Sequence, residues 1–127
     1  MTHLFNNEVA KKYGVYEAII LHEMVSYIGK TMALEKDFKD FKDFYDDNFW
    51  MRASLKEWQK YLDFFTEKQI RTAIDNLKKK GAIAMANYNK DVYDRTAWYS
   101  IIDSFVFEIY KIDIKKEIER LKGENND

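Results

Sequence analysis

The sequence predicts a helix-dominated α+β fold: mostly α, with a small antiparallel sheet, a helix-turn-helix near its middle and an extra C-terminal helix. Three observations predict it. Two capping boxes, Ser54-Leu55-Lys56-Glu57 and Thr66-Glu67-Lys68-Gln69, stand one short helix apart. The apolar period changes from helical to strand-like after Gly81. An apolar stripe between Val15 and Met32 supplies a central helix on which the rest can pack.

There is no proline, so boundaries are read from caps and glycines. Asn6 or Asn7 can cap a first helix through Tyr13, with Gly14 as its left-handed terminator. The helix from Val15 to Met32 follows, with Ala18, Leu21, Val25, Ile28 and Met32 at three- and four-residue steps. Ile19, Ile20 and Met24 widen that stripe. Residues Lys36 to Phe44 repeat Lys-Asp-Phe, with Phe38, Phe41 and Phe44 on a drifting face. This segment reads as a short helix or an ordered loop, either packing its Phe residues back on the core or serving as a partner-binding or dimerising arm.

Phe49 to Ala53 is a short strand. Ser54 then caps a helix burying Leu55, Trp58 and Leu62, and Thr66 caps a second helix running to Lys80 and ending at Gly81. In the second, Ile70, Ala73, Ile74 and Leu77 share one face. Two capped helices joined by about four residues form a helix-turn-helix layout. Strands from Ala82 to Tyr88 and from Arg95 to Ile102 make a hairpin beside it, which is a wing. The tail places Phe107, Tyr110, Ile114, Ile118 and Leu121 on one helical face, to cover the core or to form a dimer seam. Residues 1–122 are expected to form one winged-helix domain, with 123–127 a polar, frayed tail.

Length and composition narrow the classes. At 127 residues, with 46% hydrophobic and 17% aromatic content, the chain suits one domain with a full core. It has no cysteine, which excludes disulfides and thiolate chemistry. Its two histidines, His3 and His22, do not have metal-site spacing, and His22 reads as a satisfied or surface side chain. The Asp37, Asp40, Asp43, Asp46 and Asp47 series lacks the glycine and terminal glutamate of a calcium loop. No nucleophile–base pair or Gly-rich phosphate loop is present, so neither enzyme activity nor a cofactor is expected. No apolar run approaches the roughly 18 residues of a membrane span, and Met1 to Asn7 does not read as a signal peptide, so a cytoplasmic protein is expected.

The net charge of −1 is unevenly spread. Residues 34–50 hold three basic against six acidic groups, whereas residues 66–95 hold seven basic against four acidic. Local charge matters more to a phosphate contact than the total does. If the Thr66-capped helix enters a major groove, its non-core residues meet base edges. Lys68, Gln69, Arg71, Thr72, Asp75 and Asn76 lie outward or lateral, with Arg71, Gln69 and Lys68 the leading base contacts. Asn89, Lys90 and Arg95 offer phosphate or minor-groove contacts from the wing, with Asp91 and Asp94 beside them as repelling charges. Lys78, Lys79 and Lys80 first complement the helix dipole.

An ordered set of motifs runs along the chain. It comprises Ala10-Lys11-Lys12-Tyr13-Gly14-Val15 with Glu17-Ala18-Ile19, then Leu55-Lys56-Glu57-Trp58, Thr66-Glu67-Lys68-Gln69-Ile70-Arg71 and Leu77-Lys78-Lys79-Lys80-Gly81. Asn87-Tyr88-Asn89-Lys90 then leads to Asp94-Arg95-Thr96-Ala97-Trp98-Tyr99-Ser100-Ile101. Over Glu8 to Ile101 the chain resembles the winged-helix N-terminal domain of phage and plasmid replication initiators, the replisome organisers. The resemblance implies double-stranded DNA binding at a replication origin, and often a further C-terminal domain that recruits replication proteins. A chain of this length is then either an excised N-terminal piece or a short relative. Two other functions compete. One is a winged-helix transcriptional regulator; the other is a replisome protein-interaction module without DNA binding, its contact surface the acidic 34–50 segment. A homodimer through the C-terminal helix fits any of the three.

Overall fold

The first helix begins where the sequence places a cap. Asn6 Oδ1 accepts hydrogen bonds from the amides of Glu8 (2.8 Å) and Val9 (3.2 Å) and starts α1, Asn7–Tyr13. The computed structural model describes residues 4–34, 44–45, 48–111 and 119. Gly14 ends α1 at φ 111° and ψ 161°. This is an extended backbone of positive φ rather than the left-handed helical terminator the sequence suggests, and essentially only glycine adopts it. A Cβ there would also meet Glu17 Oε2 at 2.5 Å.

Helix α2, Val15–Leu34, is the centre of the molecule. Four successive residues, Ala18, Ile19, Ile20 and Leu21, are buried, so α2 is surrounded on every side at that level. Met24, Val25 and Ile28 continue the core. The Lys-Asp-Phe segment lies largely outside the described residues, but its end forms a strand. β1, Phe44–Tyr45, pairs antiparallel with β2, Asn48–Phe49. The single strand expected over Phe49 to Ala53 is therefore divided. Phe49 closes this hairpin, while β3, Met51–Arg52, joins a different sheet. Trp50 separates them, its indole N–H donating to the Tyr45 carbonyl (2.8 Å).

Helix α3, Leu55–Tyr61, and helix α4, Glu67–Lys79, each open with the reciprocal hydrogen bonds of a capping box. Helix α4 ends in a Schellman motif: Ala82 N–H donates to Leu77 C=O (2.9 Å), Gly81 N–H donates to Lys78 C=O (3.2 Å), and Gly81 sits at φ 76°. β4, Ile83–Ala86, and β5, Trp98–Ile101, complete the small antiparallel sheet that the pattern predicts; it has three strands in the order β3-β5-β4. Both strands are shorter than the sequence suggests, and between them Asn89 Nδ2 donates to the carbonyls of Asp94 and Thr96.

The sheet is buried on both faces at β5. Tyr99 and Ile101 join the main core, while Trp98 and Ser100 point the other way. Trp98 belongs to a second aromatic cluster with Tyr45 and Tyr88. The Tyr45 and Tyr88 rings stack at 4.4 Å, and Trp98 meets them edge-on at 5.5 and 5.7 Å. Trp50 completes it at 5.2 Å from Tyr88. The β1–β2 hairpin is thereby clamped to the back of the sheet.

Asp103 caps α5, Ser104–Ile109, and also binds α1. It accepts from the Tyr13 hydroxyl and from Lys12 Nζ (2.9 Å). Burial works against its charge, but those two donors hold the carboxyl below the usual range. The expected tail helix starts here but is not continuous: α5 stops at Ile109, and Lys111 adopts φ 57°. Ile114, Ile118, Leu121 and residues 123–127 lie outside the described residues. Among the described residues, no helix is long and apolar enough to cross a membrane. The fold is thus mixed α+β, with five helices and a small three-stranded antiparallel sheet among the described residues.

Candidate nucleic-acid interface

Helix α4 carries its polar side chains as its period requires. Ile70, Ala73, Ile74 and Leu77 are buried, and Lys68, Arg71, Thr72 and Asp75 are exposed. These outward residues differ in availability. Arg71 is paired with Glu67 one turn earlier at 2.7 Å, with both side chains more than half exposed. Such surface pairs contribute about 0–1 kcal/mol, so the guanidinium can exchange this partner for another anion. Lys68 and Thr72 follow each other along one row. With Tyr16, Glu17, Gln69 and Ala73 they line a shallow cleft of about 190 Å³ between the start of α2 and α4.

Two α4 candidates have internal duties instead. Gln69 Oε1 accepts from the Thr66 amide (2.8 Å), and its Nε2 donates to the Tyr16 hydroxyl (3.4 Å). Asn76 Nδ2 donates to Glu17 Oε1 (2.9 Å), a carboxylate only 8% exposed. Asn76 therefore ties α4 to α2.

The loop between β4 and β5 divides in the same way. Asn89 uses its whole amide to fasten the loop and tie it to the sheet. Its Nδ2 donates to the carbonyls of Asp94 (3.0 Å) and Thr96 (2.8 Å), while Oδ1 accepts from Arg52 Nε (2.8 Å) and Trp98 Nε1 (2.9 Å). Asp94 is the matching anchor: it pairs with the Arg52 guanidinium and accepts from the Thr96 hydroxyl (2.7 Å) and amide (3.0 Å). The Thr96 donors foremost, with Arg52 behind them, hold the Asp94 carboxyl down at about 2. Lys90 and Arg95 remain exposed. Arg95 borders a recess of about 400 Å³ with Ala53, Ser54, Leu55, Thr96, Ala97 and Tyr99, so it faces the start of α3.

The ordered Asn-Lys to Asp-Arg-Thr-x-Trp-Tyr motif thus has a local meaning. Asn89, Asp94, Thr96 and Trp98 build one loop, and Lys90 and Arg95 are left outward. Sequence reasoning missed Arg52, whose partners lie far along the chain. It also missed Tyr16, half-exposed and edge-on to Phe65 at 4.9 Å, whose signal was its place off the Ala18–Leu21–Val25 stripe. It passed over Val92 and Tyr93 as turn residues, although they are 84% and 89% exposed at the loop tip.

His22 Nδ1 lies 3.1 Å from the Tyr110 hydroxyl, a packing contact between α2 and the end of α5. No group of three or more His, Cys, Asp or Glu residues is placed to hold a metal ion among the described residues. Comparison with protein-family models, curated proteins and solved structures gave no match.

Proposed function

We propose that this chain is a winged-helix domain that binds double-stranded DNA, with α4 as the recognition helix and the β4–β5 loop as the wing. The order strand, helix, turn, helix, strand, strand and the sheet order β3-β5-β4 support the fold reading. One observation carries the function: α4 buries its apolar row completely and leaves Lys68, Arg71 and Thr72 outward together. Lys68, Arg71 and Thr72 read base edges or adjacent phosphates, and Lys90 and Arg95 contact backbone. Gln69, Asn76 and Asn89 hold the reading surfaces in place. The setting in phage or plasmid replication initiation rests on the likeness of the ordered motifs.

The test is selection of bound sequences from a random duplex pool, followed by binding of the intact chain, Arg71→Ala and Lys90→Ala over a range of salt. Arg71→Ala should lose about 1–3 kcal/mol on the selected site and relax preference at one base pair. Lys90→Ala should weaken selected and scrambled duplexes alike and lower the salt slope by about one. No duplex binding by the intact chain at low salt would remove this reading in favour of a protein-interaction module. Selected sites at promoters rather than at an origin would favour the transcriptional role.

A further inference from the structure

Among the described residues Glu17 is the one charged side chain that is buried, at 8% exposed. Buried charges are ordinarily paired with an opposite charge, because leaving water costs them their hydration. The Asn76 amide that donates to Glu17 Oε1 is neutral. An ionised carboxylate can accept about four hydrogen bonds, so one amide leaves it with capacity for a further donor. Two features of the local sequence put the group there. Glu17 stands in the first turn of α2, whose positive end favours the charged form. Gly14 supplies the room, since a Cβ in its place would meet Glu17 Oε2 at 2.5 Å.

Glu17 lines the cleft between α2 and α4, which has a volume of about 190 Å³ and mostly apolar walls. Drug-sized sites run from roughly 300 to 1,000 Å³, so this one suits a single ring or a short chain. Tyr16 forms one wall and is already held in place. Its ring is edge-on to Phe65 at 4.9 Å, and Gln69 Nε2 donates to its hydroxyl (3.4 Å). An aromatic face attracts cations, as a carboxylate does, and more strongly where water is partly excluded. The cleft also has a cation of its own, the exposed Lys68, which disfavours a second positive charge on an occupant. Arg71, the next cation along α4, is paired with Glu67. We propose that this cleft binds a small, singly charged organic cation: a primary ammonium on an apolar body about the size of one ring. Glu17 accepts from the ammonium, and Tyr16 packs against the apolar part. The site needs no DNA, so it stands apart from the DNA-binding reading.

The test follows backbone and side-chain amide resonances of the full chain, without DNA, during titration with benzylammonium and with benzyl alcohol. Benzylammonium should give saturable shifts at residues 16–17 and 68–73 and at the side-chain amides of Gln69 and Asn76. Benzyl alcohol, of the same size but uncharged, should bind about tenfold more weakly. Glu17→Gln keeps an acceptor for Asn76 and nearly the same volume, so its melting temperature should stay close to that of the wild type. It should bind benzylammonium about tenfold more weakly and benzyl alcohol as the wild type does. Equal affinity of the wild type for amine and alcohol would overturn the inference, and this comparison decides the matter even if Glu17→Gln fails to fold. Undiminished benzylammonium binding by folded Glu17→Gln would overturn it too, as would shifts that do not saturate or lie away from the cleft.

Discussion

Asp94 stands between Lys90 and Arg95, where a free carboxylate would repel phosphate. Its hydrogen bonds from Thr96 and its pairing with Arg52 turn it inward, so a residue that looks obstructive in sequence is a support. Its pH behaviour follows from the direction of its shift. A carboxyl whose folded value is depressed contributes its stabilisation above the unfolded value and loses it as pH falls through the folded one. The loop should therefore be unchanged from neutrality down to the ordinary carboxylate value of 3.8, and loosen between there and about 2. The chemical shift of the Thr96 amide across an acid titration measures this, and Asp94→Asn should abolish the transition. A transition near neutrality would place the controlling group elsewhere. Helical period alone does not distinguish Lys68, Gln69, Arg71, Thr72, Asp75 and Asn76. Gln69 is set apart by its capping bond to Thr66 and by Tyr16, and Asn76 by the distant Glu17.

Among the elements, those set by local chemistry were legible and those set by distant partners were not. The starts of α3 and α4 and the Gly81 end of α4 follow from hydrogen bonds within a few residues, and each falls where the sequence places it. Ser54→Ala and Thr66→Ala should each cost roughly 0.5–2 kcal/mol of unfolding free energy in urea. Thr66→Ala should also release Gln69 from its cap, so its effect on duplex affinity should exceed that of Ser54→Ala. Equal midpoints for both variants and wild type would contradict the role given to these caps. The β1–β2 hairpin was not legible, because its place depends on Tyr45 stacking on a ring more than forty residues away. The division of the Phe49–Ala53 strand has the same origin. The end of α5 at Ile109 was hidden as well: the apolar period continues smoothly through Tyr110, and no glycine marks the left-handed turn at Lys111.

At the scale of the molecule, α2 is the shared support for α1, α4 and the sheet. Lys12, Tyr13 and Asp103 fasten α1 to α5, and the aromatic cluster fastens the hairpin to the sheet. Both leave the outward row of α4 and the tip of the β4–β5 loop exposed among the described residues. The mixed α+β class and the three-stranded sheet could be read from the order of periods, whereas function depends on which polar groups the packing leaves unspent. The most direct test of the central claim is amide chemical-shift mapping of the intact chain titrated with its selected duplex. The largest shifts are expected at residues 67–72 of α4 and 90–95 of the β4–β5 loop, with α1 and α5 little changed. Shifts confined to the β1–β2 hairpin or to α5, with α4 and the β4–β5 loop unmoved, would contradict the DNA-binding proposal.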